Sequence, residues 1–212
     1  LPGFVSSDTP AGMIGFRPSR EQLLLARRYV RGFKEVRQLH GRYPIRGLYL
    51  MGSMGSLGQT VGSDLDFWLC YDGKIKPAGV VALREKAALL EQRAAAVGLH
   101  AHFFVMHAES FRDGAVEQLS KESSGHTQHT LLLEEFYRTG IRIAGNPLLW
   151  WAVPPEYEPD YEAYSGRLVE KRFIRAGQWL DFGGLHSLPA DEFFGVAHWQ
   201  LFKGIDAPYK SL

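Results

Sequence analysis

Asp64 and Asp66, separated by one residue, are the side chains of this sequence best suited to chemistry. They head the run Asp64-Leu65-Asp66-Phe67-Trp68-Leu69-Cys70-Tyr71, whose content is that of a strand. In a strand, residues i and i+2 point to the same face, so the two carboxylates are expected side by side, with Leu65 and Phe67 turned the other way into the core. Neighbouring carboxylates repel each other, and a cation between them relieves that cost. Mg²⁺ suits such a place, because it takes few carboxylates and completes its shell with phosphate oxygens. Two such ions, roughly 3.5–4 Å apart, clamp the attacking and leaving oxygens of an in-line displacement. A pair of solvated acids on a sheet edge is the plainer alternative.

Eleven residues before Asp64 stands Gly52-Ser53, the start of the small-residue turn Gly52-Ser53-Met54-Gly55-Ser56. Glycines allow the backbone to approach a phosphate closely. Backbone N–H groups at such a turn, leading into a helix start, attract anions, and Ser53 and Ser56 add hydroxyl donors. Donors on one side and cations on the other suit a triphosphate. Trp68 shares the strand face of the two acids; it and Tyr71 are core residues or, for Trp68, a platform for a purine.

These residues need a frame. Leu1 to Pro18 reads as an irregular arm, and Ser19 with Glu21 opens a capped amphipathic helix running to about His40. Ile45 to Met51 is a strand, followed by the Gly-Ser turn, a short segment Leu57 to Gly62 and the acid-bearing strand. Pro77 to Val97 is a helix with Pro77 in its first turn and Gly98 as its stop. Leu99 to Met106 is a further strand, His107 to Gly125 a loop or flap, Thr127 to Ala144 a second strong helix, and Leu148 to Val153 a short strand. After Pro154-Pro155 the pattern is helical, over Tyr161 to Phe173 and Ala190 to Lys203, split at Gly183-Gly184. The order predicts an α/β (α+β) domain over residues 1–153, a mixed sheet flanked by helices, and a helical subdomain over 154–212.

The bulk properties exclude several classes. The 212 residues carry 45% hydrophobic and 22% charged side chains and a formal net charge of +1. A near-neutral chain has no broad basic face for nucleic acid. No apolar run approaches the ~20 residues that span a bilayer, and the start lacks the pattern of a secretory leader. The lone Cys70 cannot form an internal disulfide, which fits a reducing, cytoplasmic setting, and it reads as a buried hydrophobe. The first and last residues suggest a piece of a longer protein.

The ordered set of strand, Gly-Ser turn, short helix and Asp-x-Asp strand resembles the nucleotidyltransferase superfamily. The resemblance then narrows. Met51-Gly52-Ser53-Met54-Gly55-Ser56-Leu57-Gly58-Gln59 with Ser63-Asp64-Leu65-Asp66-Phe67-Trp68 is similar to the catalytic motif of the enterobacterial class I adenylate cyclases. So are Thr127-Gln128-His129, Glu135-Phe136-Tyr137-Arg138-Thr139, Trp179-Leu180-Asp181-Phe182-Gly183-Gly184-Leu185, and Glu192-Phe193-Phe194-Gly195 with Trp199-Gln200-Leu201-Phe202-Lys203.

The resemblance implies conversion of ATP to 3′,5′-cyclic AMP and pyrophosphate, with Asp64 and Asp66 holding two Mg²⁺ ions, for which Mn²⁺ can substitute. Gly52, Ser53 and Ser63 would meet the phosphates and Trp68 would support the site. Lys203, Lys210 and Arg138 are the candidate cations for the triphosphate, Lys203 favoured by its place in the resemblance. The resemblance also implies a regulatory C-terminal region beyond this chain, with a sugar phosphotransferase-system protein as a partner. One departure stands out. The superfamily places a third carboxylate on a neighbouring strand, yet Leu99-His100-Ala101-His102-Phe103-Phe104 contains no acid. Imidazole is a poor Mg²⁺ ligand, so His100 and His102 are expected in hydrogen-bonding or structural roles, and Glu109 is one acid that could come from elsewhere. Two other functions compete with the cyclase. One is transfer of a nucleotide to a protein or RNA acceptor; the other is a nucleotide-binding module without activity.

Overall fold

The computed structural model describes residues 9–29, 32–33, 43–54, 56–113, 126–175, 177–185, 193–194, 197–198, 201–202 and 204–205. Helix α1 (Arg20–Tyr29) starts from a reciprocal cap. The Gln22 N–H donates to Ser19 Oγ at 3.2 Å and the Ser19 N–H to Gln22 Oε1 at 2.8 Å. The later part of the helix expected to reach His40 lies mostly outside the described residues.

A four-stranded sheet follows, in the order β3-β2-β1-β4. Strands β1 (Ile45–Met51) and β2 (Leu65–Tyr71) pair antiparallel, as do β1 and β4 (Ile141–Gly145). β2 and β3 (Ala101–Met106) are parallel, joined by the long crossover helix α2 (Pro77–Ala95). The sheet is therefore mixed, as the alternation of elements predicted. Among the described residues no helix is long and apolar enough to cross a membrane.

The main core lies on one face of this sheet. Tyr49 and Met51 of β1, Trp68 and Cys70 of β2 and Met106 of β3 pack there against Leu133, Phe136 and Tyr137 of α4 (His126–Thr139). Phe111, from the short helix α3 (Ala108–Arg112), and Leu148, Leu180 and Phe182 complete it. Leu180 and Phe182 come from beyond residue 153, so the core of the sheet continues past the boundary expected there. The opposite face carries Phe67 and Phe103, stacked with ring centroids 4.7 Å apart, and α2 lies beside β3. The acids were expected to face away from the core. Asp66 instead shares the face of Trp68 and Cys70, at the rim of the main core, because the larger apolar cluster gathered on that side.

Several element assignments change, and the loop expected from His107 opens with α3. The helix expected over Thr127 to Ala144 ends at Thr139, and β4 takes its place. Gly140 closes the helix, its N–H donating to the Phe136 carbonyl at 2.8 Å. Beyond it, Ile141 and Ile143 alternate with Arg142, a strand period rather than a helical one. At the end of β4, Gly145 has φ +100°, and a Cβ there would stand 2.4 Å from the Gly47 Cα, so the two strands approach this closely only because Gly145 lacks a side chain.

The segment from Leu148 is a single bridge to Leu180 followed by a 3₁₀ turn over Leu149–Ala152, not a strand. Pro147 and Pro154 flank it and limit ladder pairing. Between Gly52 and Ser63 the described residues form consecutive turns in place of the expected short helix, with Ser56, Gln59 and Ser63 donating to the carbonyls of Ser53, Ser56 and Thr60. Four glycines, Gly52, Gly55, Gly58 and Gly62, make a helix there unfavourable. Helix α5 (Tyr161–Glu170) is shorter than the segment read to Phe173. Most of Ala190 to Lys203 lies outside the described residues.

Candidate active site

The Gly-Ser turn and the acid-bearing strand meet at one end of the sheet, where β1 leaves and β2 and β3 enter. Asp66 is the register partner of Met51 on β1 and of His102 on β3. Asp66 is half-buried, whereas Asp64 lies just before the strand and is exposed. The chain leaves Met51 through Gly52 in a left-handed conformation, φ +86°. The position a Cβ would take on Gly52 lies 3.6 Å from Asp66 Oδ2 and 4.0 Å from Glu135 Oε1. Asp66 therefore points at the turn. Glu135 of α4 arrives beside it, and the sequence reading did not single it out.

Helix α4 is fastened to the same turn. The Gly52 N–H donates to Thr139 Oγ1 at 3.1 Å, and that hydroxyl donates to the Glu135 carbonyl at 2.7 Å. The Gly52 N–H, expected to face phosphate, is thus already engaged. The rest of the turn is braced by its own serines. Ser56 Oγ donates to the Ser53 carbonyl at 2.7 Å and accepts the Gly58 N–H at 3.2 Å. Ser63 Oγ accepts the Thr60 N–H at 2.8 Å and stands 3.1 Å from Thr60 Oγ1. These bonds give the loop a fixed shape without regular structure.

Trp68 is 0% exposed. Its indole stacks on Phe136 with centroids 3.9 Å apart and tilts against Phe111 and Phe182. The ring forms the floor beneath Asp66, two residues away, and has no surface left for a purine. Cys70, the next residue on that face, is also fully buried, and burial pushes its thiol well above the usual range.

Arg138 turns elsewhere. Its Nε donates to Glu134 Oε1 at 3.1 Å, its Nη2 lies 3.8 Å from Glu158 Oε2, and its guanidinium sits 5.6 Å from the Trp150 ring centroid. Two carboxylates and an indole engage the charge that the sequence reading offered to a triphosphate. His102 faces solvent beside Asp66, and Glu109 is exposed on α3, where His107 Nε2 lies 3.9 Å from its Oε2. Lys203 and Lys210 lie outside the described residues.

The donor set can be tested against a divalent cation. Among the described residues no three His, Cys, Asp or Glu side chains converge as a complete ligand set. Mg²⁺ does not need one: it is held by one or two carboxylates and completes its shell with water and substrate phosphate. The hard oxygens of Asp66 and Glu135 at one turn fit that pattern.

Fold and site together define a mixed-sheet domain with two carboxylates, Asp66 and Glu135, beside a braced glycine-serine turn. The chain belongs to the class I adenylate cyclase family: residues 1–151 match the model described as the adenylate cyclase NT domain, and residues 188–212 match the class-I second domain. The curated adenylate cyclases of Salmonella typhimurium and Escherichia coli are each 39% identical to it, and that of Yersinia intermedia 40%, all over 214 residues. These alignments cover 100% of this chain and 25% of the relatives, so the chain spans about a quarter of their length.

Among solved structures, a toxin–antitoxin with AMP-PNP covers 62% of this chain and 77% of its own at 16% identity, with a TM-score of 0.30. A Shewanella oneidensis HEPN toxin in complex with MNT antitoxin covers 62% and 80% at 15% identity, with a TM-score of 0.26. Superpositions this loose carry no conclusion about the chain.

Proposed function

We propose that this chain is the catalytic part of an adenylate cyclase that converts ATP to 3′,5′-cyclic AMP and pyrophosphate. The ribose 3′-oxygen attacks the α-phosphorus in line with the bond to the β-phosphate. The new oxygen–phosphorus bond closes the ring, the old one breaks, the 3′-hydroxyl proton is lost to solvent or a base, and pyrophosphate departs. The chain's contribution is positioning and charge stabilisation.

Asp66, with Asp64 ahead of it, would hold the cations at the mouth of β2. A divalent ion bound there would lower the pKa of the attacking hydroxyl and neutralise charge on the leaving group. Ser53 and Ser63, on the braced loop, meet the phosphates. Gly52 serves the turn geometry, since its N–H is taken by Thr139. Trp68 supports the floor. Lys203 remains the candidate for the β- and γ-phosphates.

The observation that carries this reading is the Asp66 carboxylate directed at the Gly52 turn, in a chain matching the cyclase N-terminal domain over residues 1–151. Incubation with each nucleoside triphosphate and Mg²⁺, followed by separation of products, tests it. Free cyclic AMP is expected. A labelled protein or RNA acceptor would replace the reading with nucleotide transfer, and release of neither product nor pyrophosphate would leave only binding.

A further inference from the structure

We propose that Glu135 of α4 is a cation-binding carboxylate of this site, supplying from a helix the acid that strand β3 lacks. The inference rests on the reading of Asp66 as a cation ligand and adds a residue to it. The strand that would offer a third acid presents His102 opposite Asp66 instead, and imidazole is a poor partner for Mg²⁺.

Three observations converge on Glu135. Its Oε1 and the Asp66 Oδ2 lie within 4.0 Å of the same point, the vacant Cβ position of Gly52. A side chain there would come into contact with both carboxylates, so the glycine keeps the space between them open. Next, the backbone of Glu135 is tied to the turn. Thr139 is one helical turn further on, on the same face of α4, and its hydroxyl links the Gly52 N–H to the Glu135 carbonyl. Finally, α4 ends at this turn. The C-terminal end of a helix carries partial negative charge, which favours a cation and disfavours a phosphate. The side of the turn facing α4 is therefore the cation side, and the phosphates belong to the Ser53 and Ser63 side.

The adjacent Glu134 supplies the contrast. Its carboxylate accepts from Arg138 at 3.1 Å, so one residue of helix rotation separates an acid already paired with a protein cation from one beside Asp66.

The test uses the intact protein and Mn²⁺ binding followed by electron paramagnetic resonance, together with Mg²⁺ titration of cyclic AMP formation. Glu135→Gln is expected to weaken Mn²⁺ about tenfold and to raise the Mg²⁺ needed for half-maximal rate by a similar factor, with Glu135→Asp recovering part of the loss. Glu134→Gln is expected to change neither. If Asp66→Asn loses Mn²⁺ while Glu135→Gln binds it as the unaltered protein does, Glu135 has no such role and the Asp66 reading stands. If Asp66→Asn also binds normally, the cation site itself is elsewhere and both assignments fall.

Discussion

Gly52 and Thr139, 87 residues apart, are joined by a 3.1 Å hydrogen bond from the glycine N–H to the threonine hydroxyl. It is the bond that registers helix α4 on the turn leaving β1. Thr139→Val keeps the side-chain shape and removes the acceptor, leaving a part-buried N–H without it. The expected cost is about 1–3 kcal/mol in urea denaturation, with a lower rate of the proposed cyclase reaction at unchanged ATP affinity. Thr139→Ser should restore both; failure to do so would show that the methyl group, not the hydroxyl, sets the contact.

Asp66 sits at the mouth of β2 with its carboxylate on the turn. Asp66→Asn keeps the shape and removes the charge. Cyclic AMP formation should fall roughly 100-fold or more, while circular dichroism and melting temperature stay near those of the unaltered protein. Near-normal turnover by the folded variant would remove Asp66 from the reaction.

Trp68 separates two roles that its strand position allowed. Packed among Phe111, Phe136 and Phe182, it should behave as core. Trp68→Ala is expected to cost about 3–5 kcal/mol. Trp68→Phe should fold and bind ATP with an ordinary KM, whereas a purine platform would show a large rise in KM with little loss of stability.

Lys86, on α2, has its pKa lowered from 10.5 by burial. Its charged form is therefore a burden on the folded state at neutral pH. As pH rises from the lowered folded value to 10.5, the folded protein sheds this proton first, and stability rises. Above that range both states are neutral and the burden is gone. Lys86→Met should raise the melting temperature at neutral pH by a few degrees, and the gain should shrink as the pH approaches the upper limit. A gain that does not change with pH would assign the effect to packing alone.

Much of the frame was legible in the chain itself. Short-range periodicity and punctuation specified β1, β2, α2 and β3, because Pro77 and Gly98 bound a helix and the apolar runs around it alternate. Gly140 followed by the Ile141-Arg142-Ile143 alternation carried the signal for β4, overshadowed by the long helical pattern before it.

At the site, the sequence determined that Asp66 and Trp68 share a strand face and that a glycine-serine turn precedes them, since a period of two follows from backbone geometry alone. It left open which face would be covered. Only the tertiary structure chose the Trp68 side for the core, brought Glu135 to Gly52, and brought Glu158 to Arg138. The reason is physical: local spacing fixes directions relative to an element's own axis, whereas these contacts depend on where α4 docks. That docking is set by how the whole apolar surface of sheet and helix is removed from water.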